Sequence, residues 1–166
     1  MRLTDARTGV EVLPTEECLA LLAGDEVGRL AVVVGGRPHI LPVNYAIDGD
    51  VVVFRTANGT KLDGASHAAV AFEVDHFDPA TRSGWSVVVH GRAEDVTATE
   101  RPDVVARTRS LKIEPWADFN KDHLVRIVAK QITGRRVGLE RDSDEGGSAA
   151  VRHLPHQAGP TLPPGR

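Results

Sequence analysis

The chain has one cysteine, one methionine and aromatic residues at only 4% of its 166 positions. A lone thiol, Cys18, can neither close an internal disulfide nor complete a cysteine-based zinc site. It sits among apolar residues in a segment of helical texture and is expected to be a buried structural thiol. No apolar run approaches the ~18 residues that a bilayer-spanning helix requires. The start, Met1 to Arg7, lacks the apolar stretch of a signal peptide, so a cytoplasmic protein is expected. An excess of one charge is also missing. Twenty Lys and Arg against 23 Asp and Glu leave a formal charge of −3, which provides no electrostatic footprint for nucleic acid or an anionic membrane.

What is present is an ordinary globular balance, 41% hydrophobic and 26% charged, in a length that suits one domain around one core. Thr15 precedes Glu16 and Glu17, whose charges favour a helix N-terminus; the apolar Cys18, Leu19, Leu21 and Leu22 follow, and Gly24 ends the pattern. From Gly28 the texture becomes β-branched. Strands are predicted over 29–34, 37–47, 51–56, 68–77, 85–93 and 124–137, with Gly35-Gly36 and Asp48-Gly49 supplying tight antiparallel turns. Thr97 to Glu100 reads as a capping box and Pro102 suits a first turn, so a second helix is predicted to run to about Ser110. Six short antiparallel strands and two helices remove their open edges best by closing into a small barrel. Residues 1–14 read as an N-terminal extension and 15–139 as the folded domain. Residues 140–166, rich in Asp, Glu, Gly, Ser and Pro, read as a disordered tail.

Two stretches carry chemistry. In Phe54 to Leu62 a strand ends in Arg55 and Thr56, and Gly59 frees a turn before Thr60 and Lys61. Two cations and two hydroxyls on one loop suit a terminal phosphate, and a solvated surface turn is the competing reading. The order Gly-Thr-Lys, with Phe54 where a P-loop needs glycine, excludes a P-loop. In Pro38 to Tyr45 two prolines interrupt a strand, which therefore needs a free edge, a bulge or a ligand beside it. Asn44 could meet the polar edge of a flat heterocycle, and the alternative is an edge strand whose prolines prevent aggregation. Gly84-Trp85-Ser86-Val87-Val88 fails as a nucleophile elbow at its last position, and Asp75-His76-Phe77-Asp78 has no metal-ligand spacing.

Several segments, taken in order, resemble the pyridoxamine 5′-phosphate oxidase-like flavin-binding split-barrel proteins of bacteria. They are Val27 to Ala31, Gly36 to Tyr45, Val53 to Thr56 with Gly59 to Leu62, Trp85 to Ala93, and Ile132 to Arg136. The resemblance implies a mainly β, six-stranded split barrel that forms a homodimer with FMN in a groove at the dimer interface. The alternative cofactor is the deazaflavin F420 or haem, and the alternative function is a non-catalytic flavin, F420 or haem carrier of the same fold. It also implies that Arg55, Thr56, Thr60 and Lys61 hold the flavin phosphate and that Ile40, Leu41, Pro42, Val43 and Asn44 border the ring. Trp85 and Ser86 match the start of the strand that completes the groove. The implied activity is oxidation or reduction of a small organic substrate, with no catalytic side chain or metal assigned, because a flavin carries its own redox chemistry. The chain lacks the longer C-terminal substrate motif of true pyridoxamine phosphate oxidases, which leaves the substrate open.

Overall fold

The computed structural model describes residues 3–5, 8, 10–56, 68–96, 101–114 and 123–138. Its elements are β1 (Leu3–Thr4), β2 (Glu11–Leu13), α1 (Thr15–Ala23), β3 (Val27–Val34), β4 (Arg37–Asp48) and β5 (Val51–Thr56), followed by β6 (Ala69–Asp78), β7 (Ser83–Asp95), α2 (Pro102–Arg109) and β8 (His123–Val137). The six expected strands are β3 to β8, each within a few residues of its predicted bounds. Two short strands, β1 and β2, come from the stretch read as an extension, where three apolar-polar alternations are too few to register as a strand.

Every pairing is antiparallel, and the ladder runs β1-β2-β8-β5-β4-β3-β6-β7 with a further β7–β8 pairing. That last pairing joins β3 to β8 into a ring, which is the expected barrel. Closure depends on β8, whose residues Val125 to Val128 pair with β5 on one side and β7 on the other. Gly91 makes the fit possible. A bulge falls between His90 and Gly91, and a side chain at Gly91 would run into the Val128 carbonyl. The β3–β4 turn has positive φ at both Gly35 and Gly36, as a two-residue hairpin requires.

The core has two layers. Inside the barrel lie Leu30, Val52, Phe54, Phe72, Val89 and Ile127, capped at one end by Cys18 and Leu22 of α1. Cys18 is fully buried, as expected, and burial pushes its thiol pKa up, with the Glu17 charge adding to the shift. Outside the barrel, α2 lays Val104 and Val105 over Val51, Val53 and Leu124. This explains the uninterrupted Val51-Val52-Val53-Phe54 run: β5 is covered on both faces.

Both helix starts differ from expectation. Pro14, not Thr15, holds the cap position of α1, and Arg101 holds that of α2; neither cap has a side-chain hydrogen bond. The capping box at 97–100 lies outside the described residues, as does the tail at 140–166. Neither described helix is long and apolar enough to cross a membrane.

Candidate functional site

The pairing of β4 with β5 stops at Tyr45 opposite Phe54. Beyond that row the strands part. Among the described residues, 37–44 of β4 have β3 alone as a ladder partner, while Arg55 and Thr56 continue along β8 opposite Leu124 and His123. Pro38 and Pro42, which lack an N–H to donate, fall in the stretch whose described ladder partner is β3 alone. Asn44 and Arg55 are the first residues on either side of this fork.

Arg55 shares a face of β5 with Val51 and Val53, because alternate residues of a strand point the same way. It is partly buried, and its Nε is shielded from solvent without any hydrogen-bond partner. A buried charged donor without an acceptor is costly, on the order of 1–3 kcal/mol or more, so this nitrogen suits an anionic group arriving from outside the chain. Thr56 leaves the opposite face. Thr60 and Lys61, the other expected phosphate ligands, lie outside the described residues.

The Ile40 to Asn44 segment alternates in the same way. Leu41 and Val43 pack against the barrel core, whereas Ile40 is 70% exposed and Pro42 is also exposed. Trp85 packs against the core and Ser86 faces outward, half-buried. The chain does not bring this pair to the fork. Their partners on β8 are Arg136 and Arg135, at the end of the strand remote from Leu124, the partner of Arg55.

Two residues at this site escaped the sequence reading. Arg29, opposite Pro42 in the ladder, donates to Glu73 at 2.9 Å and to Asp75 at 2.6 Å on the outer face, and these carboxylates raise its pKa further. Tyr45, at the base of the fork, packs edge-on against Phe72 with ring centroids 4.9 Å apart and 67° between planes. Each depends on strands brought together by closure, and no local motif marks it. Among the described residues no group of three His, Cys, Asp or Glu could hold a metal ion.

The profile of the pyridoxamine 5′-phosphate oxidase family matches residues 14–136. The chain belongs to this family. The matched span includes both sides of the fork and ends on Arg136, the ladder partner of Trp85. Among relatives, the uncharacterised protein Rv0080 of Mycobacterium tuberculosis is 36% identical over 138 residues, covering 80% of this chain and 88% of that protein. The solved structure of the FAD binding protein from Mycobacterium smegmatis is 38% identical, covers 75% of this chain and 95% of its own, and superposes with a TM-score of 0.64. An FAD-binding protein from Mesorhizobium loti is 28% identical, covers 76% and 96% respectively, and has a TM-score of 0.59. The two solved structures share the fold of this family member over nearly their whole length.

Proposed function

We propose that this family member is a flavin-binding oxidoreductase that holds FMN at the β4/β5 fork and acts on a small organic substrate. The observation that carries the reading is the orphaned Nε of Arg55 at the mouth of the fork. The Mycobacterium smegmatis and Mesorhizobium loti relatives, described as FAD binding, support a flavin as the occupant. In this reading Arg55 and Lys61 provide charge-assisted hydrogen bonds to the flavin phosphate, and Thr56 and Thr60 provide hydroxyl donors. In the same reading the Ile40 to Asn44 segment borders the rim of the ring, where an amide such as that of Asn44 can both donate and accept.

Trp85 and Ser86 enter this reading through a homodimer. They are too far along β8 to reach the fork of their own chain, so a second copy would supply them. The exposed Val33 and Ile40 on the outer face of the β3–β4 hairpin supply apolar surface for such a contact. When bound, the flavin supplies the redox chemistry, and the protein's part is to fix the phosphate, orient the ring and leave room for a second substrate.

The test has two stages. The protein as purified, or after incubation with FMN, should show a flavin absorption spectrum, and chromatography of the released cofactor separates FMN from FAD. Protein that stays colourless and leaves added FMN free would overturn the flavin reading. The flavin-loaded protein should then oxidise a reduced nicotinamide in the presence of a quinone or nitro compound. Tight flavin binding without turnover on such pairs would instead make it a flavin carrier.

A further inference from the structure

A polar cavity opens under α2; its β8 residue, Arg126, lies two ladder rows from Arg55 toward the β4–β5 turn. It has a volume of about 180 Å³ and is lined by Asp48, Arg101, Asp103, Val104, Arg107 and Arg126. The space is below the roughly 300–1,000 Å³ of pockets that enclose drug-sized molecules. It has room for a group the size of a phosphate.

Its charges are unevenly matched. Arg107 grips Asp48 with two guanidinium nitrogens, Nε at 2.7 Å and Nη2 closer still, and Asp48 is nearly buried. Arg101 and Asp103 form a looser pair at 3.5 Å, both well exposed. Arg126 is left over. Its side chain is only 16% exposed, its Nη2 stands 4.0 Å from an Asp48 carboxylate already held by Arg107, and its Nε is buried with no acceptor. Glu94, its ladder neighbour on β7, forms no ion pair with it.

The start of α2 borders the same space. Asp103 and Val104 stand in the first turn of α2, where N–H groups have no acceptor within the helix, and Arg101 at the cap position provides no side-chain hydrogen bond. Three guanidiniums against two carboxylates, a buried unsatisfied N–H and a helix start thus converge on one small cavity. That donor set, arriving from both α2 and β8, recognises a tetrahedral oxyanion.

We propose that this cavity is a second ligand site, separate from the flavin fork, that binds a phosphate-type oxyanion and clamps α2 to the β4–β5 turn. Arg126 is the buried anchor, and Arg101 and Arg107 close over the anion from solvent. The occupant contacts helix and turn together and therefore favours the docked position of α2.

Inorganic phosphate is the probe. Calorimetric titration into protein saturated with FMN, against sodium chloride at matched ionic strength, should show one saturable site, and the Nε–H resonance of Arg126 should shift in step with it. Arg101→Gln, an exposed change that leaves the core untouched, should weaken phosphate binding about tenfold, and Arg126→Gln should abolish it. The flavin spectrum should stay unchanged throughout. Absence of saturable binding would overturn the proposal, as would an Arg126 resonance that ignores phosphate or equal affinity in the parent and Arg101→Gln. Phosphate that displaces FMN would assign the cavity to the flavin site and overturn its independence. If Arg126→Gln fails to fold, the resonance shift and Arg101→Gln still decide.

Discussion

The Tyr45 hydroxyl donates a 2.5 Å hydrogen bond to the backbone carbonyl of Leu22. Leu22 lies in the last turn of α1, where carbonyls have no acceptor role left to fill within the helix. A strand residue at the base of the fork therefore caps the helix that closes the barrel, and the position of α1 is tied to the point where β4 and β5 part.

Tyr45→Phe should remove that cap and leave a buried carbonyl unpaired. A loss of about 1–2 kcal/mol in urea unfolding is expected, with FMN affinity within about twofold of the parent. A larger loss of flavin affinity than of stability would show that the hydroxyl serves the cofactor instead.

Burial, reinforced by the Asp25 charge, pushes the Tyr45 pKa well above its usual value near 10. The unfolded chain then loses its tyrosine proton at a pH where the folded chain keeps it. This contribution to stability is complete below about pH 10 and falls as pH rises through the folded pKa, by up to ~1.4 kcal/mol per pH unit. Because the chain has one tyrosine, the rise in tyrosinate absorbance near 295 nm, taken above the background of its two tryptophans, comes from Tyr45. Ionisation should appear only with unfolding, and Tyr45→Phe should flatten the alkaline fall in stability relative to the parent.

Gly134 is packed against Cys18 and Leu13, and a Cβ at this position would run into the Cys18 sulfur. Gly134→Ala should destabilise by about 1–3 kcal/mol. Adding Cys18→Ala opens the space the methyl needs, so the double variant should be more stable than the sum of the single losses. Additive losses would mean that the two sites do not share this contact.

Arg136 bonds Glu11 of β2 at 3.3 Å and Glu17 of α1 at 2.5 Å, and the Glu11 side chain is only 4% exposed. Arg136→Met takes a cation away from that nearly buried carboxylate and from Glu17, and should cost about 2 kcal/mol, between the values for exposed and fully buried pairs. Arg29→Met breaks ion pairs around a half-exposed guanidinium and should cost under ~1 kcal/mol. Urea unfolding of both variants checks the order, and a reversed ranking would contradict the buried role given to Glu11.

Lys61→Ala and Arg55→Gln should each weaken FMN binding roughly ten- to hundredfold while leaving riboflavin, which lacks the phosphate, near the parent affinity. Equal loss for both ligands would indicate a folding defect, and no loss for either would return the loop to a solvated turn. Light scattering should give twice the 17.8 kDa chain mass, and a monomer that binds FMN fully would remove the partner's Trp85 and Ser86 from the groove.

The six long strands and both helices were legible in the sequence because their signals are local. Paired glycines set the β3–β4 turn, β-branched runs mark the strands, and Pro38 and Pro42 mark a strand that, among the described residues, pairs there with β3 alone. The site was legible only in pieces. Spacing places Arg55 at a strand end, but that its Nε is buried without a partner is a property of the folded chain that no local pattern shows. The strand character of Glu11–Leu13 escaped because three residues carry no period, and it exists only because β8 extends past the barrel to receive it. The cavity around Arg126 escaped for the same reason, since its lining comes from the β4–β5 turn, α2 and β8, segments far apart in the chain. Local backbone preference and turn chemistry thus determined the elements. Ring closure through β8, which places residues remote in sequence within hydrogen-bond reach, decided which buried polar atoms of Arg55 and Arg126 are left without partners.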